Sequence, residues 1–177
     1  MRFVVSHCPT TRNVVKLDDD MAINLRALIH RLPSMHSDGI YGLRWTGMDV
    51  IRDKFSKWYI PYSLFPFEVF PQYTSGSAYI VGLQTIRRLL DAVKCHGQYM
   101  HVDDAYVTGI LARSAGVRVI NRALWWNIEP NATDFLRNGS VIFALHDNTE
   151  DLVQLYCDVD KISDDTHIAT YPLENQE

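Results

Sequence analysis

A β-branched run, Val14-Val15-Lys16-Leu17, stops on three consecutive carboxylates, Asp18-Asp19-Asp20. Valines favour a pleated, half-buried strand, and like charges this close repel one another. A fold that keeps the three aspartates must offset them with a cation or the positive end of a helix. Carboxylates at the tip of a buried strand make a hard oxygen site for Mg²⁺ or Mn²⁺, which phosphate oxygens from a nucleotide can complete. The alternative is that they cap a helix starting near Met21. An EF-hand is disfavoured, because the Asp-x-Asp-x-Asp-Gly order is missing.

Short β-like runs and helical stretches alternate along the chain. Met21 to Leu32 places Ile23, Ala27 and Leu28 near helical spacing and ends before Pro33. Ile40 to Trp45 alternates like a strand, and Lys57 to Tyr73 is aromatic and broken by Pro61, Pro66 and Pro71. Tyr79-Ile80-Val81 reads as a short strand, followed by an amphipathic helix from Leu83 to Val93 with Ile86, Leu89, Leu90 and Val93 on one face. A second helix is predicted from Asp104 to Ser114, with Gly116 at its C-cap. Val141 to Leu145 is a candidate buried strand, and Asp147 and Glu150 have capping-box spacing for a last helix. The alternation predicts an α/β layer architecture.

Within 177 residues there is room for one domain. Hydrophobic residues at 47% and charged residues at 21% exclude a disordered, collagen-like or coiled-coil chain. The longest apolar run is Val141 to Leu145, far below the roughly 20 residues that span a bilayer, and no signal-peptide pattern opens the sequence. A soluble globular chain is therefore expected. Seventeen basic residues against 21 acidic ones, a net charge of −4, argue against a general nucleic-acid binder. Cys8, Cys95 and Cys157 are too few and too far apart for a disulfide scaffold or a zinc site. Asn131-Ala132-Thr133 and Asn138-Gly139-Ser140 both fit the N-glycosylation pattern and favour an exposed loop in a secretory compartment.

Three further groups of residues can carry chemistry. Asp103-Asp104 follows the apolar, aromatic Tyr99-Met100, and a partly desolvated carboxylate there can serve as general base toward a hydroxyl or simply cap a helix. His146, at the end of the apolar run, can give a nitrogen to Mn²⁺ or be an ordinary hydrogen-bonding residue. Tyr73-Thr74-Ser75-Gly76-Ser77-Ala78-Tyr79 sets small residues between aromatics, which lets a ligand approach the backbone, unless it is a turn entering a strand. Trp45, Trp58, Tyr59, Trp125 and Trp126 are either sugar-stacking platforms or core.

Taken in order, these segments resemble the β-1,3-galactosyltransferase family, which also holds β-1,3-N-acetylglucosaminyltransferases and the Fringe enzymes. Cys8-Pro9 and Val14 through Asn24 resemble the region of its Asp-x-Asp motif. Lys57-Trp58-Tyr59, Pro66 and Phe70 through Tyr79 look like its Lys-aromatic-aromatic, Tyr-Pro and Tyr-Pro-x-Tyr-Cys-Ser-Gly-Gly-Gly-Tyr landmarks. Asp103 through Gly109 is similar to Glu-Asp-Val-Tyr-x-Gly, and His146 with Leu152 to Tyr156 to the closing His segment. Thr74 stands where the family usually has Cys, Asp103 replaces Glu, and Ala105 replaces a branched residue.

The resemblance implies a GT-A-like nucleotide-sugar transferase fold with a mixed sheet flanked by helices. It spans residues 1–160 as a partial catalytic domain lacking its N-terminal strands, with 161–177 as a polar tail. It further implies an inverting, Mn²⁺-dependent transfer of galactose or an N-acetylhexosamine from a UDP-sugar to a hydroxyl of an acceptor glycan on glycoprotein or glycolipid, forming a β-1,3 linkage. Asp104 would be the catalytic base, Asp20 and His146 the metal ligands, and Asp18 and Asp19 the residues orienting ribose or metal-bound water. Lys57, Trp58, Ser75, Gly76 and Asp103 would contact substrate, and Asn131 and Asn138 would carry glycans. No nucleic-acid partner is expected. The implied location is the Golgi lumen, with membrane association only through an N-terminal anchor outside these residues. The rival readings are a glycan- or partner-binding module without catalysis, motivated by the missing strands, and a metal-dependent phosphohydrolase using the aspartates and His146.

Overall fold

A ten-residue strand, Tyr73–Gly82, organises the larger part of the molecule. The computed structural model describes residues 1–127, 133–145 and 153. Asn131, His146, the helix expected after Asp147, Leu152, Tyr156, Cys157 and the tail 161–177 lie outside the described residues. In chain order the elements are α1 (Arg2–His7), β1 (Asn13–Leu17), β2 (Met21–Ile23), α2 (Leu25–Arg31), β3 (Gly39–Trp45), β4 (Tyr73–Gly82) and α3 (Leu83–Cys95). A π-helix (Ala105–Leu111) then runs into the turn α4 (Ala112–Ser114), followed by β5 (Arg118–Asn121), β6 (Trp126–Asn127), α5 (Thr133–Arg137) and β7 (Phe143–Leu145). These fall into two compact units, Met1–Asp18 with His36–Ala123, and Asp19–Met35 with the described residues from Leu124 onward.

The first unit is built on a mixed sheet of order β1-β4-β3-β5, in which β4 is antiparallel to both neighbours and β5 is parallel to β3. Val14, Val81 and Ile40 lie opposite one another on three adjacent strands, so one face of the sheet is continuously apolar. Helix α3 covers that face with Ile86 and Leu89, both essentially inaccessible. Each such side chain contributes roughly 1.5–3 kcal/mol by leaving water. The predicted apolar stripe of α3 is the one observed, and Gly116 takes the left-handed conformation (φ 62°) expected of a helix C-cap.

The proline-broken stretch between β3 and β4 has no regular element beyond an isolated bridge, Asp49 to Val69. Arg52 organises it, donating to the carbonyls of Ile60 (2.7 Å), Phe65 (2.9 Å) and Phe67 (2.6 Å) while its guanidinium lies 3.8 Å from the Tyr62 ring centroid. Val50, Ile60 and Phe70 anchor the same stretch in the core.

The second unit carries a small mixed sheet of order β2-β7-β6. Here the structure corrects two expectations. Met21–Ile23 is a strand paired with Phe143–Leu145, not the start of a helix. The helix begins at Leu25, and its cap is Asn24, whose Oδ1 accepts from the Ala27 amide at 2.8 Å. Asn24 also donates to the Leu136 carbonyl at 2.6 Å. The three aspartates are therefore not helix caps. Trp125 and Trp126 are buried here, Trp126 stacking on Phe143 with centroids 4.6 Å apart, so they are core and not sugar platforms.

Candidate functional site

The segment Tyr73 to Tyr79, read from the sequence as a place of close ligand approach or a turn entering the strand at Tyr79, is itself part of β4. Its small residues sit at a break in the pairing of β4 with β3. Between Gly42↔Tyr79 and Arg44↔Thr74, two steps along β3 face five along β4. The surplus residues form an irregularity that leaves the peptide groups of Gly76 without a β3 partner. The Gly76 amide instead donates to Oδ2 of Asp104 at 3.2 Å, and its carbonyl accepts from the Lys16 ammonium. A Cβ added to Gly76 would come within 3.3 Å of Asp104 and press on its side chain, so glycine gives the carboxylate its room beside the strand.

Asp104 does cap the π-helix, through Oδ1 to the Ala105 amide at 2.7 Å, but this occupies one carboxylate oxygen while the other faces Gly76. Burial pushes the Asp104 carboxyl above its ordinary range, and the neighbouring Asp103 adds to the shift, against the lowering effect of the Ala105 and Gly76 amides. A carboxylate so placed is a stronger base than one in water. The carboxylate is thus held at the start of the π-helix Ala105–Leu111, whose turns are wider than those of an α-helix.

Strand β1 brings Asp18 to the same region. The Asp18 amide donates to the Ser77 carbonyl at 2.9 Å, and its carboxylate pairs with Lys16. Tyr79, paired with Lys16 in the sheet register, has its hydroxyl pushed up to about 12 by burial and by the charges of Asp103, Asp104 and Asp18. Burial, with the Asp104 charge, also raises Tyr73. Asp18, Asp103 and Asp104 thus all bear electrostatically on Tyr79, and Lys16 pairs with the first of them. Sequence reading missed Lys16. The signal was present: a lysine inside a β-branched run needs an acidic or carbonyl partner nearby.

The other expected residues are placed as follows. Asp19 and Asp20 are exposed in the turn between β1 and β2, and neither forms an ion pair with another described residue. Among the described residues no group of three or more His, Cys, Asp or Glu side chains converges as a metal cluster. Ser75 donates to or accepts from Ser77 (2.9 Å) beside Gly76, and Asp103 is exposed. Lys57 lies 4.3 Å over the half-exposed ring of Trp58, and its carbonyl meets His101 at 3.2 Å, which ties this pair to the segment leading into Asp103. Asn138 is exposed just beyond α5, with Oδ1 accepting from the Ser140 amide at 2.8 Å. Cys8 and Cys95 are free thiols.

The sequence profile of the galactosyltransferase family matches residues 1–123, the span that carries β1, β4 and Asp104. The chain belongs to the galactosyltransferase family. Among curated relatives, the lactosylceramide 1,3-N-acetyl-beta-D-glucosaminyltransferase of Xenopus tropicalis is 32% identical over 118 residues, covering 65% of this chain and 31% of its own length. The enzyme of the same name from Rattus norvegicus is 32% identical over 114 residues, covering 62% of this chain and 30% of its own. The beta-1,3-galactosyltransferase 1 of Mus musculus is 33% identical over 123 residues, covering 66% and 36%. The chain thus spans about a third of the length of the galactosyltransferase-family relatives it matches. Its mixed sheets flanked by helices agree with the α/β, GT-A-like fold class that the sequence predicts. Among the described residues no helix is long and apolar enough to cross a membrane.

Proposed function

We propose that this galactosyltransferase-family chain takes part in transferring a hexose from a UDP-sugar to a glycan hydroxyl, with inversion and formation of a β-1,3 linkage, and that Asp104 is the base. The observation that carries the proposal is the Asp104 carboxylate, raised in pKa, held at the irregularity of β4 with one oxygen on the Gly76 amide. Inverting transfer needs a single base that removes the acceptor proton as the anomeric carbon is attacked from the face opposite the departing nucleotide. Asp103, exposed beside it, and Lys57 and Trp58, linked through His101, are assigned to substrate contact. Ser75 and Gly76 line the strand where the acceptor would lie.

Asp19 and Asp20 are exposed carboxylates, the hard oxygen donors that a divalent ion takes, while the Asp18 carboxylate is paired with Lys16. We assign Asp20 and His146 as ligands of Mn²⁺, with Asp18 and Asp19 orienting ribose or bound water. When bound, the ion would neutralise charge on the leaving diphosphate. Lys16 contacts both the Asp18 carboxylate and the Gly76 carbonyl.

The test is transfer from UDP-galactose, UDP-N-acetylglucosamine and UDP-N-acetylgalactosamine to a β-galactoside acceptor, alongside titration of the chain with Mn²⁺ and UDP. Asp104→Asn should bind UDP and metal while losing ~10²–10⁴-fold in transfer, and undiminished turnover would place the base elsewhere. Absence of Mn²⁺-dependent UDP binding by the chain would favour the glycan- or partner-binding reading. A lumenal, Golgi location is proposed with this activity. Expression through the secretory pathway should then add an endoglycosidase-sensitive glycan that Asn138→Gln removes.

A further inference from the structure

We propose that Thr108 is a positioning residue for Asp104: its buried hydroxyl ties the main chain of the base to strand β4, so that backbone and carboxylate are both referenced to one strand. The inference rests on the reading of Asp104 as base and adds the device that holds it in place.

Thr74 and Thr108 are fully inaccessible. The Thr74 amide donates to Oγ1 of Thr108 at 2.9 Å, and the Thr108 hydroxyl donates to the Asp104 carbonyl at 2.7 Å. Two residues along β4, the Gly76 amide reaches the Asp104 carboxylate at 3.2 Å. Amides at positions i and i+2 of a strand point to the same edge, so these are two adjacent ties from one rigid element to one residue. The first is relayed through Thr108 and fixes where the main chain of Asp104 sits; the second fixes which way its carboxylate turns.

The bond from Thr108 to the Asp104 carbonyl spans four residues, the usual reach of a threonine hydroxyl back along a helix, and here it lies within the π-helix. Its bonds run one residue further than in an α-helix, and such turns are short and uncommon. Close packing keeps it against β4: a Cβ on Gly109 would lie 3.1 Å from the Tyr73 Cβ. The hydroxyl of Thr108 is used as both donor and acceptor, so no isosteric apolar side chain replaces it. Valine would leave the Thr74 amide and Asp104 carbonyl without these partners in a buried site.

The test compares Thr108→Val, Thr108→Cys and Thr108→Ser with the unmodified chain and Asp104→Asn. Kinetics of UDP-sugar transfer and amide hydrogen exchange at Gly76 are measured at matched folded fraction. Thr108→Val and Thr108→Cys should lower kcat by about 10–100-fold with KM little changed, the range that small misplacements of a reacting group produce. Gly76 exchange should quicken about tenfold in the same variants, a readout that needs no activity. Thr108→Ser, which keeps the hydroxyl, should restore both. Cysteine keeps the buried volume should valine fail to fold. Unaltered Gly76 exchange in Thr108→Cys, or a Thr108→Ser as impaired as Thr108→Val, would overturn the inference. Full transfer by Asp104→Asn would instead overturn the assignment of the base, and leave the Gly76 exchange result to decide the relay on its own.

Discussion

The amide of Gly76 donates to Oδ2 of Asp104 across 3.2 Å, joining the middle of strand β4 to a residue 28 positions later. The contact exists because β4 carries more residues than β3 over this interval, which removes Gly76 from the sheet ladder. An irregularity in strand pairing thus becomes a hydrogen-bond donor aimed at a carboxylate.

Gly76→Ala should therefore act on Asp104 before it acts on the fold. The added methyl group lies 3.3 Å from both Cβ and Oδ2 of Asp104, tight enough to turn the carboxylate aside without a backbone clash. Transfer should fall by about 10–100-fold. Thermal melting with donor-saturated kinetics checks this, and a variant that melts far below the parent while transferring normally per folded molecule would contradict it.

Asp103 raises Asp104 as a like charge. A base must be ionised to accept a proton, so transfer should rise with pH through the elevated Asp104 value. Asp103→Asn removes part of the elevation and should move the acid limb of the pH–rate profile to lower pH. A limb that stays in place or moves upward would show that another group sets it.

The elevated Asp104 pKa also has a stability consequence. The folded chain binds this proton more tightly than the unfolded chain, so ionising Asp104 costs stability as pH rises from the ordinary carboxylate range through the raised value. Asp104→Asn should thus raise the urea midpoint at neutral pH, and the gain should shrink toward zero at pH values below the unfolded carboxylate pKa. Urea titrations of both proteins across that window test the sign.

Asn24 makes two buried bonds, accepting from Ala27 and donating to Leu136. Asn24→Ala should cost about 1–3 kcal/mol, combining a lost helix cap with a buried carbonyl left without this donor. Asn24→Asp keeps the cap oxygen but sets a carboxylate oxygen against the Leu136 carbonyl in a buried site, and should cost at least as much as Asn24→Ala in chemical denaturation.

The strand character of Ile40 to Trp45 and the helical stripe of α3 follow from local pattern, since alternation and apolar spacing at three and four residues state which faces must leave water, whereas the strand Arg118–Asn121 and its pairing with β3 are not legible there. The acidic strand tip at Asp18 and the aspartate pair ahead of the Asp104 helix also follow from local pattern. Other features depended on distant partners. Met21–Ile23 is a strand only because Phe143–Leu145 supplies its hydrogen bonds, which overrides a helix-like spacing. Tyr73 to Ala78 extends the short strand predicted at Tyr79, because β1 and β3 border it. Lys16 meets Gly76 across 60 positions, and Thr108 meets Thr74 across 34. A sequence sets which side chains can donate, accept or ionise; which of them meet, and how far burial moves a carboxylate's pKa, is decided by chain packing, because both depend on distances that local propensity does not contain.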